Sequence, residues 1–334
     1  MKKNTPILIV GFGSIGSRHY ANLRSLGYTN LAVYDSDKKK LAHAGVAGLS
    51  SLSRAACKRF SVVFVCNPTD KHIPVALMAA EAGCHLFIEK PLSHSSKSIP
   101  RLMAAMHKGR IAMVACNNRF HPGFKRLETL LKSKKLGAAI SATATFTRDI
   151  TRGGKDKYYA KGYAAQKKGG GIMLDLGAHV VEYLSALFGE VSSVTAHLDR
   201  KSTLRTKAED FAAGILKHTS GVTSVFALDH YRKVKKHMIE VQCERGDIAL
   251  DIADGSIAWY DARANKYYKE FVYKGVSPAE ARNDMYQKQL VYFLACVKRN
   301  TPTLYGLPRA ARVVRVIESI KRAGLAGTRQ RIGQ

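Results

Sequence analysis

The run Gly11-Phe12-Gly13-Ser14-Ile15-Gly16 limits the fold more than any other feature of the chain. It is a complete G-x-G-x-x-G. Alone that pattern is weak, since glycines also make plain tight turns. Here it follows the β-rich run Ile7–Gly11 and opens the helically spaced segment Ile15–Leu26, which stops at Gly27. In that setting each glycine has a task. Gly11 permits the tight turn, Gly13 lets the backbone approach a pyrophosphate, and Gly16 lets the helix pack close to the strand. The helix N-terminus adds N–H groups and positive potential for phosphates. Phe12, Ser14 and Ile15 complete a loop that reads as the start of a dinucleotide-binding domain.

The next hundred residues repeat the alternation. Leu31–Tyr34, Ser61–Cys66, His85–Ile88 and Ile111–Cys116 read as short apolar strands, with helices at Ile73–Ala82 and Ser96–Lys108. Such runs between helices predict a parallel sheet covered on both faces, an α/β doubly wound Rossmann domain over residues 1–120. The pattern then changes. After helix Pro122–Ser133, strand Ala139–Arg148 and helical segment Gly171–Phe188 come seven strand-like runs between Val191 and Tyr273 without intervening helices. Helices at Glu280–Arg299 and Arg309–Ala323 close the chain. Residues 121–334 are therefore expected to form an α+β domain on a large, mostly antiparallel open sheet.

Charge needs separate treatment. The 334 residues carry 54 Lys+Arg against 25 Asp+Glu, a formal net charge of +29. This admits nucleic acid, a membrane surface or anionic ligands as partners. Residues 1–120 hold 17 basic and 5 acidic side chains, so the excess runs through both parts and forms no basic arm. No nucleic-acid motif accompanies it. The six cysteines are widely spaced and form no C-x-x-C pair, which argues against a disulfide framework or zinc site and for a reduced, cytoplasmic protein. No apolar run nears the roughly 20 residues that span a bilayer.

Several polar residues fall where ligands bind, beyond the carboxyl ends of the strands. Asp35 ends the second strand, where a carboxylate accepts from ribose hydroxyls and repels a 2′-phosphate; this favours NAD. Lys38, Lys39 and Lys40 follow at once and leave NADP open. Glu89-Lys90-Pro91 ends another strand and aims Lys90 at the nicotinamide end. Asn67, Pro68, Thr69 and His72 line the cofactor site after the Ser61–Cys66 strand, with a solvated helix start as the plainer reading of His72. Arg119 is expected at the nicotinamide–substrate junction, with a salt bridge at the domain boundary as its alternative. Gly169-Gly170-Gly171 precedes Asp175 and His179, which share one face of a helix at spacing i,i+4. Such a pair is a structural hydrogen bond or an oriented acid–base group. The glycine run, which lets backbone pass close to a ligand, favours the second.

Together these stretches resemble the Gfo/Idh/MocA oxidoreductases. The matching segments are GFGSIG, CNPTDKH at Cys66–His72, EKP at Glu89–Pro91, NNRFHP at Asn117–Pro122 and GGGIMLDLGAH at Gly169–His179. The resemblance covers essentially the whole chain in order. It implies NAD(P)-dependent hydride transfer on a sugar or polyol, with Lys90, Asp175 and His179 as catalytic residues. It also implies a homodimer or homotetramer built through the C-terminal sheet.

The loop Arg148–Lys168 precedes the glycine run and should meet the substrate. Its basic residues, with Tyr158 and Tyr163 among them, suit an anionic sugar, whereas the plainer reading is a solvated loop. Asp229-His230-Tyr231-Arg232 resembles a strand of family members tied to nucleotide-sugar or sialic-acid-like pathways. A neutral polyol, or a non-catalytic NAD sensor of the same fold, stays open.

Overall fold

The structure is a computed structural model and describes residues 1–46, 48–153, 159–326 and 330–332. It divides into two compact units, Met1–Cys116 with Tyr286–Val314, and Asn117–Met285 with Arg315–Gln334. The sequence reading gives every residue after 120 to the second domain. Tyr286–Val314 instead joins the first unit, for a packing reason. Phe293 meets the rings of Phe64 and Phe87 at 6.0 and 5.3 Å, and Leu307, Ala310, Ala311 and Val314 enter the same core as Val63 and Leu86.

In the first unit, β1 (Ile7–Val10), β2 (Leu31–Tyr34), β3 (Val62–Val65), β4 (His85–Ile88) and β5 (Ala112–Val114) form a parallel sheet in the order β2-β1-β3-β4-β5. Every residue of β1, β3 and β4 is buried, which is why these runs are apolar on both faces. The connections carry α1 (Ser14–Ser25), α2 (Lys38–His43), α3 (Arg54–Cys57), α4 (His72–Glu81) and α5 (Ile99–Ala105). The helix expected over Ser96–Lys108 is confined to α5, which starts at Ile99 because Pro100 suits only a first turn and ends where Met106 turns extended. The chain leaves β1 toward one edge and β3 toward the other. That reversal is the topological switch point, where a crevice for ligands opens beyond the carboxyl ends.

The second unit holds α6 (Pro122–Ser133), β6 (Ala139–Thr147), α7 (Ala178–Phe188), β7 (Val191–Asp199), β8 (Phe211–His218), β9 (Thr223–Asp229), β10 (His237–Cys243), β11 (Gly246–Asp251), β12 (Ser256–Asp261), β13 (Lys266–Phe271) and β14 (Gln330–Arg331). The long helices α8 (Pro278–Arg299) and α9 (Leu307–Ala326) contribute to both units. Among the described residues the sheet runs β13-β12-β11-β10-β6-β9-β8-β7-β14. All its pairings are antiparallel except β6 with β9. Strand β10 shows how one face is covered. His237, Ile239, Val241 and Cys243 are buried, while Met238, Glu240 and Gln242 alternate outward. Helices α6 and α7 meet through Phe124 and Tyr183, whose rings lie 6.1 Å apart, and Tyr183 lies as close to His237. No helix among the described residues is long and apolar enough to cross a membrane.

Candidate functional site

The first unit brings three loops to the ends of neighbouring strands: Gly11–Gly16 after β1, Asn67–His72 after β3 and Glu89–Pro91 after β4. The glycines are required here. Gly11 has φ +94°, and a Cβ on it would lie 2.5 Å from Asn67 N; a Cβ on Gly16 would lie 1.9 Å from Gly11 O. Gly13 differs. A Cβ there would meet nothing within 4 Å, so open space lies before the loop where α1 begins, and no side chain caps that helix start. This is the cradle that a pyrophosphate fits.

Asp35 shapes the same loop. It is buried, and its Oδ2 accepts from Phe12 N–H at 2.7 Å and its Oδ1 from Asp37 N–H at 2.8 Å. Each oxygen keeps a second lone pair for a ribose hydroxyl. Of the three lysines beyond it, Lys38 donates to Leu49 O at 2.8 Å and sits over the Tyr34 ring, and Lys40 lies 3.8 Å from Asp35. The residues present fit NAD.

Around Lys90 the chain is tightly held. The Lys90–Pro91 bond is cis. Glu89 is buried; its Oε2 accepts from Lys90 N–H at 3.2 Å and its Oε1 from His19 Nε2–H at 2.7 Å. Burial works against the Glu89 charge, but His19, Lys90 and His72 hold its pKa below the ordinary value. The sequence reading passed over His19, a fully buried residue of α1 packed among Phe64, Phe87 and Tyr286. Its position three residues past Gly16 was the available signal. Thr69 is buried, and His72 is no solvated helix start: it is 2% exposed.

The second unit carries Asp175 and His179. Met173–Gly177 forms a π-helical turn that runs into α7. Wider turns of this kind recur at functional sites. Asp175 is buried, with Arg148 Nη1 donating to its Oδ2 at 3.3 Å. His230, fully buried, has Nε2 at 3.2 Å from the same oxygen, off the line of a hydrogen bond. His179 is half-buried with its ring 6.1 Å from that of Phe146. Phe146 stacks in turn on His237 at 3.7 Å. Burial, then Lys235, His179 and His121, push the His237 pKa well down, so this ring stays neutral.

Gly171, φ +85°, is packed against protein: a Cβ on it would lie 2.5 Å from Glu209 Oε1. Arg119 is held by its own unit. Its guanidinium pairs with Glu128 at 2.7 Å and Glu182 at 3.1 Å and lies over the Phe124 ring. Both pairs lie within the second unit rather than at the domain boundary. Tyr158 lies outside the described residues, as does the side chain of Tyr163; the backbone at Tyr163–Ala165 makes a 3-10 turn. Among the described residues no cluster of His, Cys, Asp and Glu could hold a metal ion.

Comparison with known proteins places these features. Residues 6–116 match a family described as an oxidoreductase family with an NAD-binding Rossmann fold, and residues 124–249 match the GFO/IDH/MocA C-terminal domain. The chain is 26% identical over 255 residues to D-apiose dehydrogenase of Paraburkholderia graminis, a match spanning 72% of this chain and 66% of that protein. It is 25% identical over 313 residues to myo-inositol 2-dehydrogenase of Thermotoga maritima, spanning 88% of each. A solved levoglucosan dehydrogenase, in complex with NADH and levoglucosan, shares the fold with a TM-score of 0.85 at 16% identity, over 99% of this chain and 100% of that one. With a dinucleotide cradle in one unit and the matched C-terminal domain in the other, the chain belongs to the Gfo/Idh/MocA family of NAD-binding oxidoreductases.

Proposed function

We propose that the chain is a dehydrogenase that oxidises a secondary alcohol of a sugar or sugar derivative bearing an anionic group, and that Lys90, Asp175 and His179 carry the chemistry. The observation behind this is the pairing of a fitted NAD cradle with a lysine anchored at the adjoining strand end. NAD, when bound, takes up the hydride that leaves the carbinol carbon. The proton that leaves the oxygen goes to His179, a half-buried imidazole able to take it near neutral pH. Lys90 hydrogen-bonds that oxygen and stabilises the negative charge developing on it. Asp175, held by Arg148, supplies buried negative charge beside the imidazolium that forms.

The cations of the second unit support the anionic group. Lys235 is exposed, with the charges of Arg282, Asp251 and Arg148 acting on it. Burial, with Arg282 and Arg148 nearby, lowers its pKa, and Asp251 offsets only part of this. An incoming carboxylate or phosphate would relieve that repulsion. Names of relatives support the sugar class: D-apiose, levoglucosan, a D-glucoside and myo-inositol. The test is NADH formation across free sugars, inositols, sugar acids and nucleotide-linked sugars. Turnover on the charged sugars and little on their neutral counterparts is expected. Preference for neutral inositols would defeat the anionic assignment, and tight NAD binding without turnover on any of them would defeat the enzyme reading.

A further inference from the structure

His72 sits between two groups that can only accept. Its Nδ1 lies 2.9 Å from the carbonyl oxygen of Pro91, and its Nε2 lies 2.8 Å from the carbonyl oxygen of Asn67. A neutral imidazole owns one N–H. It can therefore bond one of these carbonyls while turning a lone pair toward the other. Only the doubly protonated ring satisfies both contacts. His85, at the opposite end of β4 from Pro91, shows the reverse arrangement, with Ile111 N–H at 3.0 Å from Nδ1 and the Arg110 guanidinium at 3.3 Å from Nε2. Its ring faces two donors.

The two carbonyls tied by His72 are not arbitrary. Asn67 belongs to the loop after β3, against which Gly11 packs, and Pro91 follows Lys90 at the end of β4. We infer that His72 is a positioning residue, a protonation-dependent clip that joins these two loops and so sets Lys90 against the cofactor cradle. The inference rests on the proposed role of Lys90. The charged groups facing the ring are Glu89 at the end of β4 and Asp70 on the turn before α4. Glu89 in turn faces His19 and Lys90, and Cys66 adjoins the same carboxylate. Glu89 also takes the His19 Nε2–H at 2.7 Å. Burial lowers the His72 pKa; the Pro91 and Asn67 carbonyls, then Glu89 and Asp70, pull it back. The clip therefore closes as pH falls and opens as pH rises.

The experiment uses the full-length protein labelled with nitrogen-15 in its histidines, with His72→Gln to assign the ring. Nitrogen shifts are followed between about pH 5 and pH 8, where histidines titrate. Two protonated nitrogens on His72 at the acid end are expected, with loss of one proton on the way up. Over that titration kcat should fall. In His72→Gln, kcat should drop roughly tenfold or more through misplacement of Lys90, and its falling limb should vanish. A single fixed tautomer throughout overturns the clip, as does a ring titration that kcat does not follow. Lys90→Ala separates the two ideas: normal turnover there refutes the lysine's role, while the ring spectrum judges the two-carbonyl bond independently.

Discussion

Asp35 offers the sharpest test of how the cofactor site is built. A carboxylate at this place is usually assigned to the ribose. Here it also organises the protein, since Phe12 N–H and Asp37 N–H each donate to one of its oxygens, at 2.7 and 2.8 Å. The isosteric change Asp35→Asn keeps the shape and alters the bonds. One amide oxygen can still accept from one N–H, but the NH2 must face the other, donor against donor. A hydrogen bond to a charged acceptor contributes about 1.5–3 kcal/mol, and an orphaned buried donor costs about 1–3 kcal/mol. Asp35→Asn should therefore destabilise the protein without cofactor by about 2 kcal/mol, with the fingerprint loop the part that loosens. Urea titration of the cofactor-free protein reads this directly. Calorimetry should show NADH binding weakened about tenfold or more, at about 1.4 kcal/mol per factor of ten. An unchanged urea midpoint together with weakened binding would refute the loop-organising role and leave only ribose recognition. Stronger binding of NADPH than NADH by the unaltered protein would remove the cofactor assignment as well.

Other expectations follow from the two units. Lys90→Ala and His179→Ala should each reduce turnover by roughly 100-fold or more while calorimetric NAD binding survives; near-normal turnover in both ends the mechanism. Arg148→Met should raise the KM of an anionic sugar more than that of its neutral analogue, and equal effects on the two would assign Arg148 to Asp175 alone. Burial, and then Arg110, lower the His85 pKa to about 4. The unfolded chain takes up that proton below about pH 6.5 and the folded one only near 4, so this contribution to stability is complete above 6.5 and is lost as pH falls. The loss approaches 3 kcal/mol at about 1.36 kcal/mol per unit, and His85→Leu should flatten that part of the pH–stability curve measured by urea titration. On the uncovered sheet face Ile215 and Val225 pair across β8 and β9 and stay 43% and 44% exposed, so this face is proposed to join copies of the chain. Val225→Arg should then lower the mass measured by light scattering, and an unchanged oligomer would place the interface elsewhere.

The fold and the site differ in how far they could be read from residues alone. Each strand of the first unit announces itself, because a strand buried on both faces must be apolar along its length, as Val62–Val65 is. The glycines were legible for a related reason: backbone conformation and close approach leave a mark on residue type. What could not be read is adjacency between distant strands. A succession of strands after residue 190 suggests neighbours pairing in order, yet β6 lies between β10 and β9 and runs parallel to β9. That one register sets Thr147 opposite Asp229, and therefore brings the next residues, Arg148 and His230, side by side. Both then reach the same oxygen of Asp175. Spacing along the helix directed attention to Asp175 and His179 as a pair, because only local partners are visible in a linear pattern. The carboxylate's partners from the sheet are 27 and 55 positions away along the chain and have no periodicity to betray them. His230 carried one available hint, a histidine directly after a strand whose last residue is acidic, but nothing in DHYR says which strand lies beside it. The proposed acid–base pair is thus visible along the helix, while the groups that meet its carboxylate depend on a strand pairing that only the folded sheet determines.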